Sequence, residues 1–260
     1  MNAAAFFDLD GTLLPAPSLE RRLVLSLVQR GELGVAQAGR WLARFLRFAA
    51  RDWCAATSDN KKYLAGVSVS ALEALLAARS PLGINFYPQG LDIVRRHAVL
   101  GYRVVFVSGT LTPLGRAVAR EVEDRLHLRT PILVCATELE CAGEILTGES
   151  AGAHLSREEK AGVVRKLVTK HGWDLRECSA YGNTMADDGM LACVGHPFAV
   201  NPNPDLTERA QREGWPVLHW DLRAPACRAE FRQDGPPQSR VAPTTFVDLE
   251  RRSLRVRRQP

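Results

Sequence analysis

FFDLDGTL, residues 6–13, closes the first apolar run of the chain and sets two carboxylates, Asp8 and Asp10, directly behind it. AAAFFDL reads as a buried strand, which Gly11 breaks. In extended backbone, residues two apart project to the same side, so both carboxylates should face one space. Held that close they repel, which favours a bound cation or a proton on one of them. Such a pair can divide labour, one ionised as nucleophile or metal ligand and the other protonated as general acid. Gly11 allows a close backbone approach, and Thr12 offers a hydroxyl and an amide. A bare Asp-x-Asp would suit an ordinary turn; the apolar run before it favours the chemical reading.

Outward from this stretch the period becomes helical. SLERRLVLSLVQRG places Leu19, Leu23 and Leu27 on one stripe, with Ser18 as N-cap and Gly31 as a stop. A second helix, VAQAGRWLARFLRFAARDW, turns Val35, Ala38, Trp41, Phe45 and Phe48 to one face, and SVSALEALLAARS ends a third before Pro81. On the second helix Arg40, Arg44, Arg47 and Arg51 form a basic stripe, suited to solvent or to an anionic substrate or headgroup.

From Tyr87 helices and β-branched strands alternate. QGLDIVRRHAVLG, a helix closed by Gly101, leads to the strand RVVFVS; Thr112-Pro113 starts another helix before TPILVCAT. SREEKAGVVRKLVTKHG then precedes ECSAYG and HPFAV. This alternation predicts an α/β fold, a three-layer parallel sheet covered on both faces, with an inserted α-helical cap. Residues 1–14 and 82–222 are expected to form the α/β core and residues 15–81 the cap. Residues 223–260, rich in Arg and Pro, read as a loosely ordered extension.

The formal charge of +5 is concentrated at one end. Residues 1–220 hold 25 Lys+Arg against 24 Asp+Glu, whereas residues 221–260 hold nine Arg against five acids. A nucleic-acid footprint on the main domain is therefore not indicated. The six cysteines form no CxxC pair and the histidines no metal-binding spacing, which argues against zinc and for a reducing cytoplasm. No run approaches the roughly 18–20 apolar residues that span a bilayer, and no leader is read at the N-terminus. Peripheral membrane contact through the basic stripe is the remaining, weaker membrane reading.

In a parallel sheet, ligands bind beyond the carboxyl ends of the strands, and each unusual motif falls at such an end. In VSGT, the Ser108 hydroxyl and successive loop amides ahead of a helix suit an anion. Ser156-Arg-Glu-Glu159 matches a capping box, which would put Lys160 in the first turn of a helix, against the macrodipole. YGNTMADDGML follows a strand, and its Thr184-x-x-Asp187 suits either a helix cap or a functional acid.

Taken in order, FFDLDGTLL, VSGT, Lys160 and GNTMAD resemble the motifs of the haloacid dehalogenase-like (HAD) phosphohydrolases. The subgroup most similar contains phosphoserine phosphatase and carries a helical cap after the first motif. The resemblance spans roughly residues 4–218 and implies a Rossmann-like core and a magnesium-dependent phosphatase acting on a small phosphorylated metabolite. It implies Asp8 as nucleophile, forming an aspartyl-phosphate, and Asp10 as acid and then base. Ser108 and Gly109 would hold the phosphoryl group and Lys160 would neutralise it. Mg²⁺ would lie among Asp8, Asp10, Asn183 and Asp187, and with Lys160 would supply three positive charges where a phosphate dianion meets an anionic nucleophile. The subgroup usually has Asp where this chain has Asn183; an amide oxygen remains a hard ligand but lacks one negative charge, which Asp187 or Asp188 would have to supply. Two other functions are compatible: a regulatory protein that keeps the phosphate pocket without turnover, and a phosphotransferase with an alcohol acceptor.

Overall fold

The computed structural model describes residues 2–31, 61–77, 82–152 and 155–223, together with Gly34, Gly39, Leu42 and Ala43. The four arginines of the basic stripe, and all but the first residue of the C-terminal extension, lie outside the described residues. Strand β1 (Ala4–Phe7) is buried along its whole length, as expected of a strand covered on both faces. After it come α1 (Leu19–Gln29), a 3-10 turn at Lys62–Leu64, α2 (Val69–Ala77) and α3 (Pro88–Val99). Then β2 (Arg103–Leu111), α4 (Thr112–Leu126), β3 (Leu133–Thr137) and an antiparallel hairpin, β4 (Leu139–Ala142) with β5 (Ile145–Ser150), follow. Next are α5 (Arg157–His171), β6 (Ser179–Gly182), α6 (Asp188–Leu191), β7 (His196–Val200), α7 (Pro204–Glu213) and β8 (Val217–Leu218).

Six strands make one parallel sheet in the order β3-β2-β1-β6-β7-β8, with β1 central between β2 and β6. The helices pack against it, so the α/β architecture expected from the alternation of elements is the one observed. Its registers place Phe106, Phe7, Tyr181 and Phe198 side by side on one rung. Tyr181 stacks on Phe7 at 4.5 Å and on Phe198 at 4.9 Å. This aromatic rung lies one residue below Asp8 and Gly182, and thus forms the floor of the sheet's carboxyl edge. Among the described residues no helix is long and apolar enough to cross a membrane.

The insert between β1 and α3 begins as anticipated: α1 buries Leu19, Leu23 and Leu27, and Ser18 caps it by accepting from Arg21 N. The β4–β5 hairpin was not anticipated, and it holds the far end of the insert. Leu146 N donates to Val67 O, and Gly66 N to Leu146 O, each at 2.9 Å. Gly148 has φ +73°, and a Cβ there would lie 3.0 Å from the Lys61 carbonyl oxygen, so the hairpin backbone can lie flat against Lys61 and Lys62.

Beneath the rung, His97 is fully buried, its Nε2 2.9 Å from the Tyr181 hydroxyl and its ring edge-on to Phe7 and Tyr102. Burial, helped by the His196 charge, pushes its pKa down to about 3. The unfolded chain therefore takes up this proton first: the stabilising contribution is complete above the unfolded value near 6.5 and is lost as pH falls toward 3. Between pH 6.5 and 5 this amounts to ~2 kcal/mol. Urea unfolding at several pH values should show that increment in the native chain and a flatter acid limb for His97→Gln; parallel limbs would remove His97 as the source.

Candidate active site

The end of β1 delivers Asp8 to the carboxyl edge, where Asp8 N donates to Tyr181 O at 2.9 Å and ties the motif to β6. Lys160, 152 residues away and only 3% exposed, donates to Asp8 Oδ1 at 2.7 Å and to Asp187 Oδ1 at 2.6 Å. Both Lys160 and Asp187 are thus brought to the N-terminal carboxylates. Asp10, Ser108, Gly109 and Asn183 line the same cavity of about 320 Å³. Every residue expected at the site converges there.

Two local expectations come out differently. The capping box at Ser156 does not form: the Ser156 hydroxyl donates to Glu159 instead of accepting a backbone amide. A full box forms at Thr184–Asp187. There Asp187 Oδ2 accepts from Asn183 N at 2.9 Å and Thr184 N at 3.0 Å, while Oδ1 receives Lys160. The carboxylate posed from the sequence as either a helix cap or a functional acid caps the turn through one oxygen and holds Lys160 through the other. Asp187, expected as a magnesium ligand, therefore enters the site through the lysine and the loop amides. Asp188, considered as a source of extra charge, faces away from the cavity, toward Arg157 and Arg209.

Electrostatics favour added positive charge. Burial, reinforced by Asp187 and opposed by Lys160, pushes the Asp8 pKa up to about 7. Burial likewise raises Asp10 to about 6, against the lowering effect of the Leu19 amide, which donates to Asp10 Oδ1 at 2.8 Å. Burial alone would lower the Lys160 value, but the charges of Asp187 and Asp8 outweigh it and hold the ammonium firmly protonated. Among the described lining residues, four carboxylates (Asp8, Asp10, Glu20, Asp187) and two ammoniums (Lys61, Lys160) give an excess of two negative charges when all are ionised. A divalent cation would balance that excess.

The donor set suits magnesium. Asp8 Oδ2 and Asn183 Oδ1 both lie near one hydroxyl, Thr12 Oγ1, at 3.3 and 3.4 Å. A hydroxyl has one proton, so at least one of these hard oxygens lacks that donor. Gly11 makes the approach possible, because a Cβ there would sit 2.0 Å from Asn183 Nδ2. Among the described residues no group of three or more His, Cys, Asp or Glu side chains is arranged around a metal position, in keeping with an amide at residue 183.

Three polar lining residues were not singled out from the sequence. The Thr110 hydroxyl is buried without a hydrogen-bond partner among the described residues, beside Ser108 Oγ, which accepts from Thr110 N. Its position two residues after Ser108 in SGT was the available signal. Glu20 and Lys61 form a second pair: Lys61 Nζ donates to both Glu20 oxygens at 2.6 and 2.8 Å, and Tyr63 adds its hydroxyl at 2.9 Å. At 41 positions apart, neither announced the other.

Against known proteins, the description "haloacid dehalogenase-like hydrolase" fits residues 5–192. Phosphoserine phosphatase SerB1 of Mycobacterium tuberculosis is 28% identical over 242 residues, covering 88% of this chain and 74% of that protein. Histidinol-phosphatase of Neisseria meningitidis serogroup C is 24% identical over 233 residues, covering 85% of this chain and all of that protein. A solved structure from Bordetella pertussis Tohama I, of unknown function, superposes with a TM-score of 0.65 at 27% identity, covering 85% of this chain and 99% of that one.

Proposed function

The chain belongs to the haloacid dehalogenase-like hydrolase family and is a phosphatase of it; from that premise we propose that it hydrolyses a small-molecule phosphate monoester through an aspartyl-phosphate on Asp8. The observation that carries this reading is the meeting of Asp8, Asp10, Ser108 and Lys160 around one cavity, with Lys160 bonded to Asp8. The region 15–81 is read as the cap over a core of 1–14 and 82–222, and a cytosolic setting accords with the free thiols of Cys135, Cys141, Cys178 and Cys193.

An ionised Asp8 oxygen forms the bond to phosphorus as the ester P–O bond breaks, and the Asp10 proton goes to the departing oxygen. A pKa near 6 leaves Asp10 a usable protonated fraction at neutral pH. Water then attacks the acyl phosphate and gives its proton to the Asp10 carboxylate, releasing phosphate and restoring Asp8. Lys160 faces the developing charge, and Ser108, Gly109 and Thr110 provide polar groups for the phosphoryl oxygens. Asp187 holds Lys160 in line. Asp8 and Asn183, with the Asp10 segment, are the residues that would hold magnesium, whose charge when bound screens the nucleophile from the phosphate dianion.

The Glu20–Lys61 pair, contributed by the insert, forms part of the cavity wall. Substrate choice is assigned to that wall and to the rest of the insert. The relatives include enzymes named for phosphoserine and for histidinol phosphate, so a panel of phosphorylated metabolites is the direct assay for the substrate.

Asn183 favours a second reading, a protein with weakened turnover. If the missing charge limits metal affinity, Asn183→Asp should lower the magnesium concentration for half-maximal activity by about tenfold or more. Titrating magnesium in both proteins with an aryl phosphate checks this; equal half-saturation would remove the amide as the limiting feature.

A further inference from the structure

Behind the cavity lies a charged seam that the proposed chemistry does not use. Asp188 is 3% exposed and uses both carboxylate oxygens: Oδ2 receives Arg157 and Oδ1 receives Arg209 Nε at 2.7 Å. Burial would raise its pKa, but these two guanidiniums hold it below the usual carboxylate value. Arg157 is the first residue of α5, three positions ahead of Lys160. Arg209 belongs to α7, is also held by Glu213 at 2.6 Å, and lies over the Trp215 ring at 5.6 Å.

The backbone makes a second contact at the same place. A Cβ on Gly189 would sit 2.2 Å from the Arg157 carbonyl oxygen, far inside any tolerated approach. The first turn of α5 is therefore pressed directly onto residues 188–189, immediately after Asp187. An ion pair and a glycine contact thus join the turn that carries Lys160 to the segment that carries its partner.

We infer that Asp188 is a positioning residue: through Arg157 and the Gly189 contact it fixes the first turn of α5, and so sets where the Lys160 ammonium stands between Asp8 and Asp187. This rests on the phosphatase reading for its catalytic consequence, though not for its geometric one. Arg209 draws on the same carboxylate from α7, which carries none of the reacting groups, and so serves as an internal control. Loss of either arginine frees one Asp188 oxygen, but only loss of the Arg157 side chain cuts the ion-pair tie on the lysine-bearing turn.

The test compares Arg157→Met, Arg157→Lys, Arg209→Met and Asp188→Asn in the full chain, well below each melting temperature. Two readouts are used: kcat and KM for an aryl phosphate, and acylation of Lys160 by an amine-reactive ester, quantified by peptide mass. Arg157→Met should lower kcat about tenfold with a smaller change in KM, and raise Lys160 acylation several-fold. Arg157→Lys should recover most of both, and Arg209→Met should lower the melting temperature while leaving both near the native values. Asp188→Asn should behave as Arg157→Met, which carries the test alone if Asp188→Asn does not fold. Native kcat and native Lys160 protection in Arg157→Met would overturn the inference, as would equal effects from both arginines. A native chain that hydrolyses no phosphate ester would sink the phosphatase reading, while the acylation pattern still decides the positioning role.

Discussion

Asp8→Asn should abolish turnover of a generic aryl phosphate, by about 10³-fold or more, while leaving a folded protein. The substitution keeps the shape of the side chain and removes the nucleophilic oxygen. It also removes a carboxylate that burial and Asp187 have pushed up to about 7, so the native state loses a poorly accommodated charge. Lys160 keeps Asp187 as partner at 2.6 Å and is not stranded. The melting temperature should accordingly be unchanged or higher, as is common where a reactive group has been placed at some cost to stability. Assay and thermal scan on the same preparation check both halves. Acid-quenched native enzyme incubated with labelled substrate should carry a covalent label that the variant lacks. Appreciable residual hydrolysis in Asp8→Asn would move the nucleophile elsewhere.

Lys160→Met should damage both activity and stability. Its ammonium is buried between Asp8 and Asp187, and removing one member of such a cluster costs about 3–5 kcal/mol because uncompensated charge stays inside. Two carboxylates then face each other without their shared cation, and the Asp8 pKa climbs further above its already raised value. At neutral pH less Asp8 is ionised, so kcat should fall by about 10²–10³-fold and the remaining activity should rise toward higher pH. Urea unfolding and a pH–rate profile measure the two effects. The double variant Asp8→Asn/Lys160→Met should recover part of the lost stability, because the like-charge contact has been dissolved. Simple additivity of the two single variants would count against this picture of the cluster.

The sequence disclosed the site better than its internal wiring. FFDLDGTL was legible because an apolar strand ending in two acids has few uses, and the parallel-sheet rule then directed attention to Ser108 and the loop from residue 183, while the role of Lys160 came from the family resemblance. Asp187 was found through the family resemblance, but that one carboxylate would both cap a turn and grip a lysine 27 residues earlier could not be read from the sequence. Two serviceable capping signatures were present, at Ser156 and at Thr184. Only the second formed, because the Ser156 hydroxyl turned to Glu159.

Asp188 was misdirected for a related reason. Its orientation depends on guanidiniums at residues 157 and 209, which only the packing of α5 and α7 brings near. The hairpin at 139–150 escaped notice because its outward face is polar and its strands are short, so the period-2 signal in LECAGEILTGES is weak. Yet that hairpin holds Lys61 against the cavity, and with it the partner of Glu20.

The hollow has two authors: strand ends and their helices contribute the reacting groups, while Glu20 and Lys61 come from the excursion of the chain between β1 and α3. On the proposed reading, the reacting groups and the residues assigned to substrate choice are thereby written in separate stretches of sequence. A lineage of such proteins could change its diet by rewriting the neighbourhood of residues 18–20 and 61, with the bond-breaking apparatus inherited untouched.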